Sequence, residues 1–359
     1  MRIIHTGDIH LGSTLGGLPA DKAKLRRAEI VDGFRRLCAY ARENGVQAVL
    51  IAGDLFDDRR AFSSLRADVL TAISAAAPVC FLCITGNHDG GTLENETLPQ
   101  NLYLFSKNHG WHSYELPEKV AVTGIDGCNL RADGYAALRL QPDRFNIVMM
   151  HGDIARAQGA DGISLPQLQN KHIDYLALGH IHVPTMQAQR LDGRGRYRYC
   201  GCLEGRGFDE CGKRGFFLLD VQGGKLVGEQ FISLAKRDVV LCRADISACK
   251  SYYDVENAAF AALSGVKKED VVKVVLVGNH EAGLRKDVSL LSARLSERFF
   301  YVKAVDESRV RIDYERYKND LSERGEFVRE TFRYALSDEL RAEVLDVGLQ
   351  ALAGEDVDL

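Results

Sequence analysis

No stretch of this chain approaches the roughly 20 consecutive apolar residues that a membrane-crossing helix requires, which argues for a soluble protein and against any membrane association. There is no room for a removable leader either. The sequence begins M-R-I-I-H-T-G-D, a strand running straight into a candidate ligand, so a cytoplasmic location is expected. The nine cysteines have no even framework spacing, and alternation along V-C-F-L-C-I-T would send Cys80 and Cys83 to opposite faces, which speaks against disulfides and for reduced thiols. Cys200, Cys202 and Cys211 lack a fourth zinc ligand nearby in sequence. Repeats and low-complexity segments are absent, as is any G-x-x-x-x-G-K-[ST] phosphate loop, so ATP dependence would have to come from another chain. A strong positive charge is missing too. The net charge is −4, of which residues 319–359, with 11 acidic and 4 basic side chains, hold −7, leaving only +3 for the rest. That is too mild to predict nucleic-acid binding from electrostatics alone. Local basic clusters (Lys22, Lys24, Arg26 and Arg27; Arg35 and Arg36; Arg59 and Arg60; Arg194, Arg196 and Arg198) read as solvated faces.

What is present is an alternation of short apolar runs with helical patterns. Strand-like segments at Arg2–Thr6, Ala48–Ala52 and Val79–Thr85 are separated by helices whose apolar stripes are Ile30, Phe34, Leu37, Ala41 and then Leu65, Val69, Ala72, Ile73, Ala76 before Pro78. Runs at Asn146–Met150 and Tyr175–Leu178 are apolar on both sides, as central strands are. A glycine-punctuated stretch after Gly201 leads into a hairpin ending near Ile232. At 359 residues the chain is expected to form more than one domain. The spacing predicts an α/β domain over 1–236, a smaller α/β domain over 237–318 and a helical tail over 319–359. In the second domain, strands Val239–Ala244, Val271–Val277, Tyr301–Ala304 and Val310–Tyr314 alternate with helices Tyr253–Leu263 and Val288–Glu297. The tail reads as helical over Glu323–Leu352, with Leu345, Leu349 and Leu352 on one face.

Five of the apolar runs end in metal-ligand residues: T-G-D-I-H at Asp8 and His10, A-G-D at Asp54, T-G-N-H-D at Asn87 and His88, M-H-G-D at His151, and G-H-I-H at His180 and His182. One such ending is ordinary surface or core; five in order describe a site. Five of the ten histidines fall in these endings, and the other five, His5, His109, His112, His172 and His280, read as packing or surface. In α/β folds ligands bind beyond the carboxyl ends of the strands, where all these residues lie. In an extended chain i and i+2 share a side, so Asp8 with His10, and His180 with His182, are expected to share ligands. Carboxylates, imidazoles and an amide without thiolate suit manganese, iron, zinc or magnesium. Asp54, alone at its strand end, is the candidate bridge between two ions. Such a pair would lower the pKa of water, supply the hydroxide nucleophile and stabilise charge on a phosphodiester. His88 would then serve the leaving oxygen, with Asp57 orienting it, and Arg59 and Arg60 could hold a phosphate.

The ordered set D-x-H, G-D-x-x-D, G-N-H-D, H-G-D and G-H-x-H resembles the calcineurin-like metallophosphoesterase superfamily over residues 1–235. The resemblance implies a four-layer αββα sandwich with two metals, manganese in the nucleases of the family. It implies Asp8, His10, Asp54 and His182 on one ion, Asp54, Asn87, His151 and His180 on the other, and His88 with Asp57 as the catalytic pair. The spacing from G-D-L-F-D to G-N-H-D, the G-H-I-H-x-P ending and the added C-terminal α/β domain look like the SbcD-type components of DNA repair exonucleases, the YhaO-like branch in particular. Those relatives imply DNA as substrate, a capping domain, a homodimer and an SbcC-like ATPase partner held by a C-terminal helical segment. Cys200-Gly-Cys202 departs from the Gly-Ser pair of many SbcD proteins, and the tail is short and acidic.

Two other functions compete with a DNA nuclease: a phosphodiesterase for small diesters or cyclic nucleotides, and a non-catalytic scaffold for an ATPase. A protein phosphatase fits less well, since its usual G-D-x-x-D-R-G and G-N-H-E stand here as G-D-L-F-D-D-R and G-N-H-D.

Overall fold

The computed structural model describes residues 1–57, 62–89, 91–105, 110–125, 132–156, 161–281, 284–311 and 314–352. Arg59 and Arg60 lie outside the described residues. The chain divides into two compact units, Met1–Asp238 and Val239–Leu359.

The first unit starts with β1 (Arg2–Thr6), α1 (Ala20–Glu43), β2 (Ala48–Ala52), α2 (Ser63–Ala75), β3 (Cys80–Ile84) and β4 (Leu102–Leu104). There follow β5 (His112–Leu116), β6 (Val120–Gly124), α3 (Ala132–Ala137), β7 (Phe145–His151), α4 (Leu165–Leu168), β8 (Tyr175–Gly179), β9 (Gln189–Arg190) and β10 (Arg196–Tyr199). The chain then returns as the hairpin β11 (Phe216–Gln222) and β12 (Lys225–Ile232). Two six-stranded sheets result, ordered β12-β11-β1-β2-β3-β4 and β5-β6-β7-β8-β10-β9. The expected hairpin therefore joins the first sheet through β11, antiparallel to β1.

Strand alternation divides the core into layers. Ile4, Val49, Ile51 and Phe81 pack with the α1 stripe Ile30, Phe34, Leu37 and Ala41, while their neighbours Ile3, Leu50, Leu82 and Ile84 turn the other way. There they meet Val122, Ile147, Met149 and Ala177 of the second sheet. On that sheet's far face Val148, Met150, Leu176 and Leu178 pack with Tyr135 of α3 and Leu168 of α4. Helix, sheet, sheet and helix thus form the four-layer αββα sandwich expected of the sequence. β2, β7 and β8 are buried along their whole length because both faces are covered. The short, weakly patterned strands β4 to β6 were not anticipated.

Not every basic cluster is a solvated face. Arg26 and Arg198 are buried, the first donating to Glu29 at 2.7 Å and Glu204 at 3.0 Å, the second paired with Glu229.

The second unit opens with β13 (Val239–Asp245), α5 (Tyr252–Ala262), β14 (Val271–Val277), β15 (Asn279–Glu281), α6 (Val288–Ser296), β16 (Tyr301–Asp306) and β17 (Arg309–Arg311). Helices α7 (Tyr314–Tyr317), α8 (Glu323–Arg333) and α9 (Asp338–Leu352) complete it. The parallel sheet β13-β14-β16 packs on Val255 and Ala259 of α5 and Leu291 and Leu295 of α6. A capping box of Ser251 and Asp254 starts α5, and Asp287 accepts from Leu290 N at 2.8 Å to start α6. The expected strand at Val310–Tyr314 is instead β17, paired with β15 in a separate ladder, and Tyr314 already begins a helix.

The helical section expected over Glu323–Leu352 is broken in two. Ser337 Oγ accepts from Leu340 N at 3.3 Å and starts α9 afresh. Leu345 and Leu349 are buried with Val328, whereas Leu352 is 40% exposed. A Cβ at Gly348 would lie 2.1 Å from the tip of the Phe327 ring, so glycine there leaves room for that ring between α8 and α9. Among the described residues no helix is long and apolar enough to cross a membrane.

Candidate metal centre

All seven expected ligands follow the carboxyl ends of parallel strands: Asp8 and His10 after β1, Asp54 after β2, Asn87 after β3, His151 at the end of β7, His180 and His182 after β8. The two sheets present these ends to one another. The local geometry differs from the extended pairing expected for Asp8 and His10. Both residues, like Asp54 and His180, adopt positive φ (48°, 50°, 48° and 100°), a region costing most side chains about 1–2 kcal/mol. Backbone bonds hold these turns: Asp8 N donates to Gly53 O at 3.0 Å, and Ile9 N and His10 N to Asp54 O at 2.9 and 3.0 Å. Left-handed turns clamped loop to loop, rather than strand alternation, bring Asp8 and His10 together.

Distances define two halves around one carboxylate. Asp54 Oδ2 lies 3.6 Å from His10 Nε2 and 3.3 Å from His151 Nε2. On one side His10 Nε2 is 3.1 Å from His182 Nε2, with Asp8 within reach of both rings. On the other, Asn87 Oδ1 is 2.9 Å from His151 Nε2 and 3.2 Å from His180 Nδ1. A Cβ at Gly86 would lie 2.1 Å from Asp54 Oδ1, so the loop carrying Asn87 and His88 can lie against that carboxylate only as glycine. Asp89, which sequence reasoning passed over, ties the same loop down by accepting from Phe56 N at 2.7 Å and Gly86 N at 3.0 Å.

Outer partners decide which ring nitrogen faces inward. His10 Nδ1 is 2.8 Å from Asp57 Oδ1, His182 Nδ1 is 2.8 Å from Glu210 Oε1, and His151 Nδ1 is 2.9 Å from Ala52 O. An acceptor at Nδ1 turns Nε2 of each ring to the centre, the arrangement that metal-binding imidazoles show. Burial lowers the His10 pKa, and this neutral ring faces His182 across 3.1 Å. Burial pushes Asp8 up to about 6 despite nearby His151. Asp54 goes the other way: burial would raise its pKa, but the hydrogen bond and charge of His151 and the charge of His10 hold it well below the carboxylate range. Burial opposes charge on His151 as well, yet Asp54 and Asp8 beside it raise its pKa to about 9. A set that attracts positive charge this strongly, and offers Nε2, carboxylate and amide oxygens, fits divalent cations.

Asp57 does stand beside His88, but its carboxylate is shared with other groups. The Asp57 carboxylate rests on His10 and, at 3.1 Å, on Arg206 Nη1, whereas His88 Nδ1 is 3.8 Å from it and 3.3 Å from the Asp57 carbonyl oxygen. His88 N donates to Asp54 Oδ1 at 2.9 Å, and its side chain is 45% exposed, open to a substrate. Arg206 and Glu210 are not among the expected site residues; both lie in the glycine-punctuated stretch after Gly201 that leads to the hairpin. Cys200 and Cys202 are buried, and no thiol belongs to a metal-ligand cluster among the described residues.

The chain belongs to the calcineurin-like phosphoesterase family, whose profile matches residues 1–184, and it is a metal-dependent phosphoester hydrolase. Among curated proteins it is similar to the DNA double-strand break repair protein Mre11 of Sulfolobus acidocaldarius, 25% identical over 308 residues that cover 80% of this chain and 77% of that one. Mre11 of Haloferax volcanii is 31% identical over 226 residues, 61% of this chain and 49% of that protein. The SbcD component of the nuclease SbcCD of Escherichia coli K12 is 26% identical over 275 residues, 63% of this chain and 66% of its own length. The matches thus span from about half to about three quarters of these relatives.

Proposed function

We propose that this protein is a DNA nuclease that hydrolyses phosphodiester bonds at two divalent cations, manganese in the first instance. The observation that carries the reading is Asp54, whose carboxylate oxygen faces His10 on one side and His151 on the other. Asp8, His10, Asp54 and His182 would hold one ion; Asp54, Asn87, His151 and His180 would hold the second. When bound, the ions supply Lewis acidity toward the phosphoryl oxygens and lower the pKa of water for attack. Asp54 keeps the two sites at a fixed spacing, and Asp57 and Glu210 keep the imidazoles aimed inward. His88, with Nδ1 turned to the Asp57 carbonyl, leaves Nε2 to exchange a proton with the leaving oxygen.

DNA is favoured as substrate by the similarity to proteins named for double-strand break repair and for a nuclease, which extends beyond the family profile into the second unit in the longest match. On this reading residues 237–318 act as a capping domain, the 319–359 tail contacts an SbcC-like ATPase, and the protein works as a homodimer in the cytoplasm. The test is a manganese-dependent assay on single-stranded and duplex DNA beside bis(p-nitrophenyl) phosphate, with His88→Ala as control. Cleavage of both substrate types by wild type alone is expected. Hydrolysis of the small diester with DNA left intact would point to a small-molecule phosphodiesterase.

A further inference from the structure

Between β10 and β11 lies a chain of charged groups that links two histidines from opposite sheets. Glu210 Oε1 is 2.8 Å from His182 Nδ1. Arg206 Nη2 donates to the same oxygen at 2.7 Å, and Arg206 N donates to Glu210 Oε2 at 2.7 Å. From its other arm, Nη1, Arg206 donates to Asp57 Oδ1 at 3.1 Å, and that oxygen is 2.8 Å from His10 Nδ1. The sequence His182, Glu210, Arg206, Asp57, His10 is therefore continuous, and its two ends are the rings whose Nε2 atoms stand 3.1 Å apart.

Three features mark this as positioning rather than substrate binding. Arg206 Nε, Nη1 and Nη2 are engaged by the carboxylates of Glu210 and Asp57, with Nη2 also 3.1 Å from His182 Nδ1, so the guanidinium fork is occupied before any phosphate arrives. Glu210 is 2% exposed, and its Oε1, 2.8 Å from His182 Nδ1, stands where it can accept an Nδ1 proton. The loop is also anchored behind, where buried Arg26 donates to Gly205 O at 2.9 Å and to Glu204 at 3.0 Å. A buried charge pair contributes little net stability but fixes geometry well, and here the geometry fixed is that of two inward-facing rings.

We propose that Arg206 and Glu210 act as one positioning unit that sets the tautomer and separation of His10 and His182, and so assembles the cation site those rings share. The proposal rests on the metal reading above. Its test uses the full chain, stripped of metal, as wild type, Glu210→Gln and Arg206→Lys. Manganese binding is followed by calorimetry, the His182 tautomer by ¹⁵N NMR in EDTA, and kinetics with bis(p-nitrophenyl) phosphate. Both variants are expected to weaken one of two manganese sites by about 10–100-fold, the usual effect of losing an outer partner, and to leave the other unchanged. His182 should pass from Nδ1–H to a tautomer mixture in Glu210→Gln, and kcat should recover at saturating manganese with KM unaltered. Wild-type manganese affinity at both sites in both variants would overturn the proposal. So would a raised KM with unchanged metal affinity in Arg206→Lys, which would make the arginine a phosphate ligand. If Glu210→Gln does not fold, the wild-type tautomer and Arg206→Lys decide, Nε2–H in wild type counting against. A wild type that takes up no manganese removes the metal reading, while the tautomer of His182 still reports whether Glu210 orients it.

Discussion

His10 and His182 meet Nε2 to Nε2 at 3.1 Å although 172 residues separate them in the chain. Each has its Nδ1 2.8 Å from a carboxylate oxygen, Asp57 for one and Glu210 for the other, which leaves the two Nε2 atoms placed to share a cation.

Manganese should therefore stabilise the first unit. A ligand at 100 times its Kd that binds only the folded state adds about 2.7 kcal/mol. Thermal melts with EDTA or manganese should show this rise in wild type and a clearly smaller one in His182→Ala. An equal rise in both would remove His182 from the ligand set.

Asp54→Asn should lower affinity at both ions, because one oxygen faces both halves of the site, while Asp8→Asn should affect chiefly the half it shares with His10 and His182. Metal content after dialysis against manganese distinguishes them. Asp54→Asn should fall toward none and Asp8→Asn toward one ion per chain, each losing more than the roughly 10–100-fold expected of an outer partner. Two ions retained in Asp54→Asn would refute the shared carboxylate.

His88→Asn should retain both ions and lose about 10²–10⁴-fold in kcat, the range for a positioned acid–base group. The imidazole is exposed, and only its backbone N–H touches Asp54. Lost metal content would instead make it a ligand.

Acid should weaken the first unit through Glu29. Burial favours the neutral acid, yet hydrogen bonds from Arg237 and Arg26 depress the pKa from 4.5 to about 2. A depressed carboxylate contributes stability above its unfolded value, lost as pH falls from about 4.5 through 2. Glu29→Gln, which leaves two buried arginines short of a partner, should cost about 3–5 kcal/mol at pH 7 in urea denaturation with EDTA. The difference from wild type should shrink toward pH 2. A constant difference across that range would show that the Glu29 charge is not what matters.

The strand-end residues of the candidate centre were legible in sequence because each sits at a fixed offset from a run of buried residues, and period two sorted those runs into layers. What escaped was set by contacts across the fold. Asp57 lies three residues past Asp54 and stands 3.8 Å from His88, but the turn at Asp54 and the arrival of Arg206 also bring its carboxylate to His10 at 2.8 Å. Glu210 carries no local sign of a task, since its partner His182 stands on another loop. Arg26 looked solvated among its basic neighbours and is buried because Glu29 and Glu204 come to it. The second unit was read well where helices and strands alternate, and less well after β16, where β17 left the main sheet and Ser337 interrupted a helical pattern.

The loop that bears Arg206 and Glu210 connects β10 of one sheet to β11 of the other, so its two charged side chains strap the seam where the strand ends of both sheets meet.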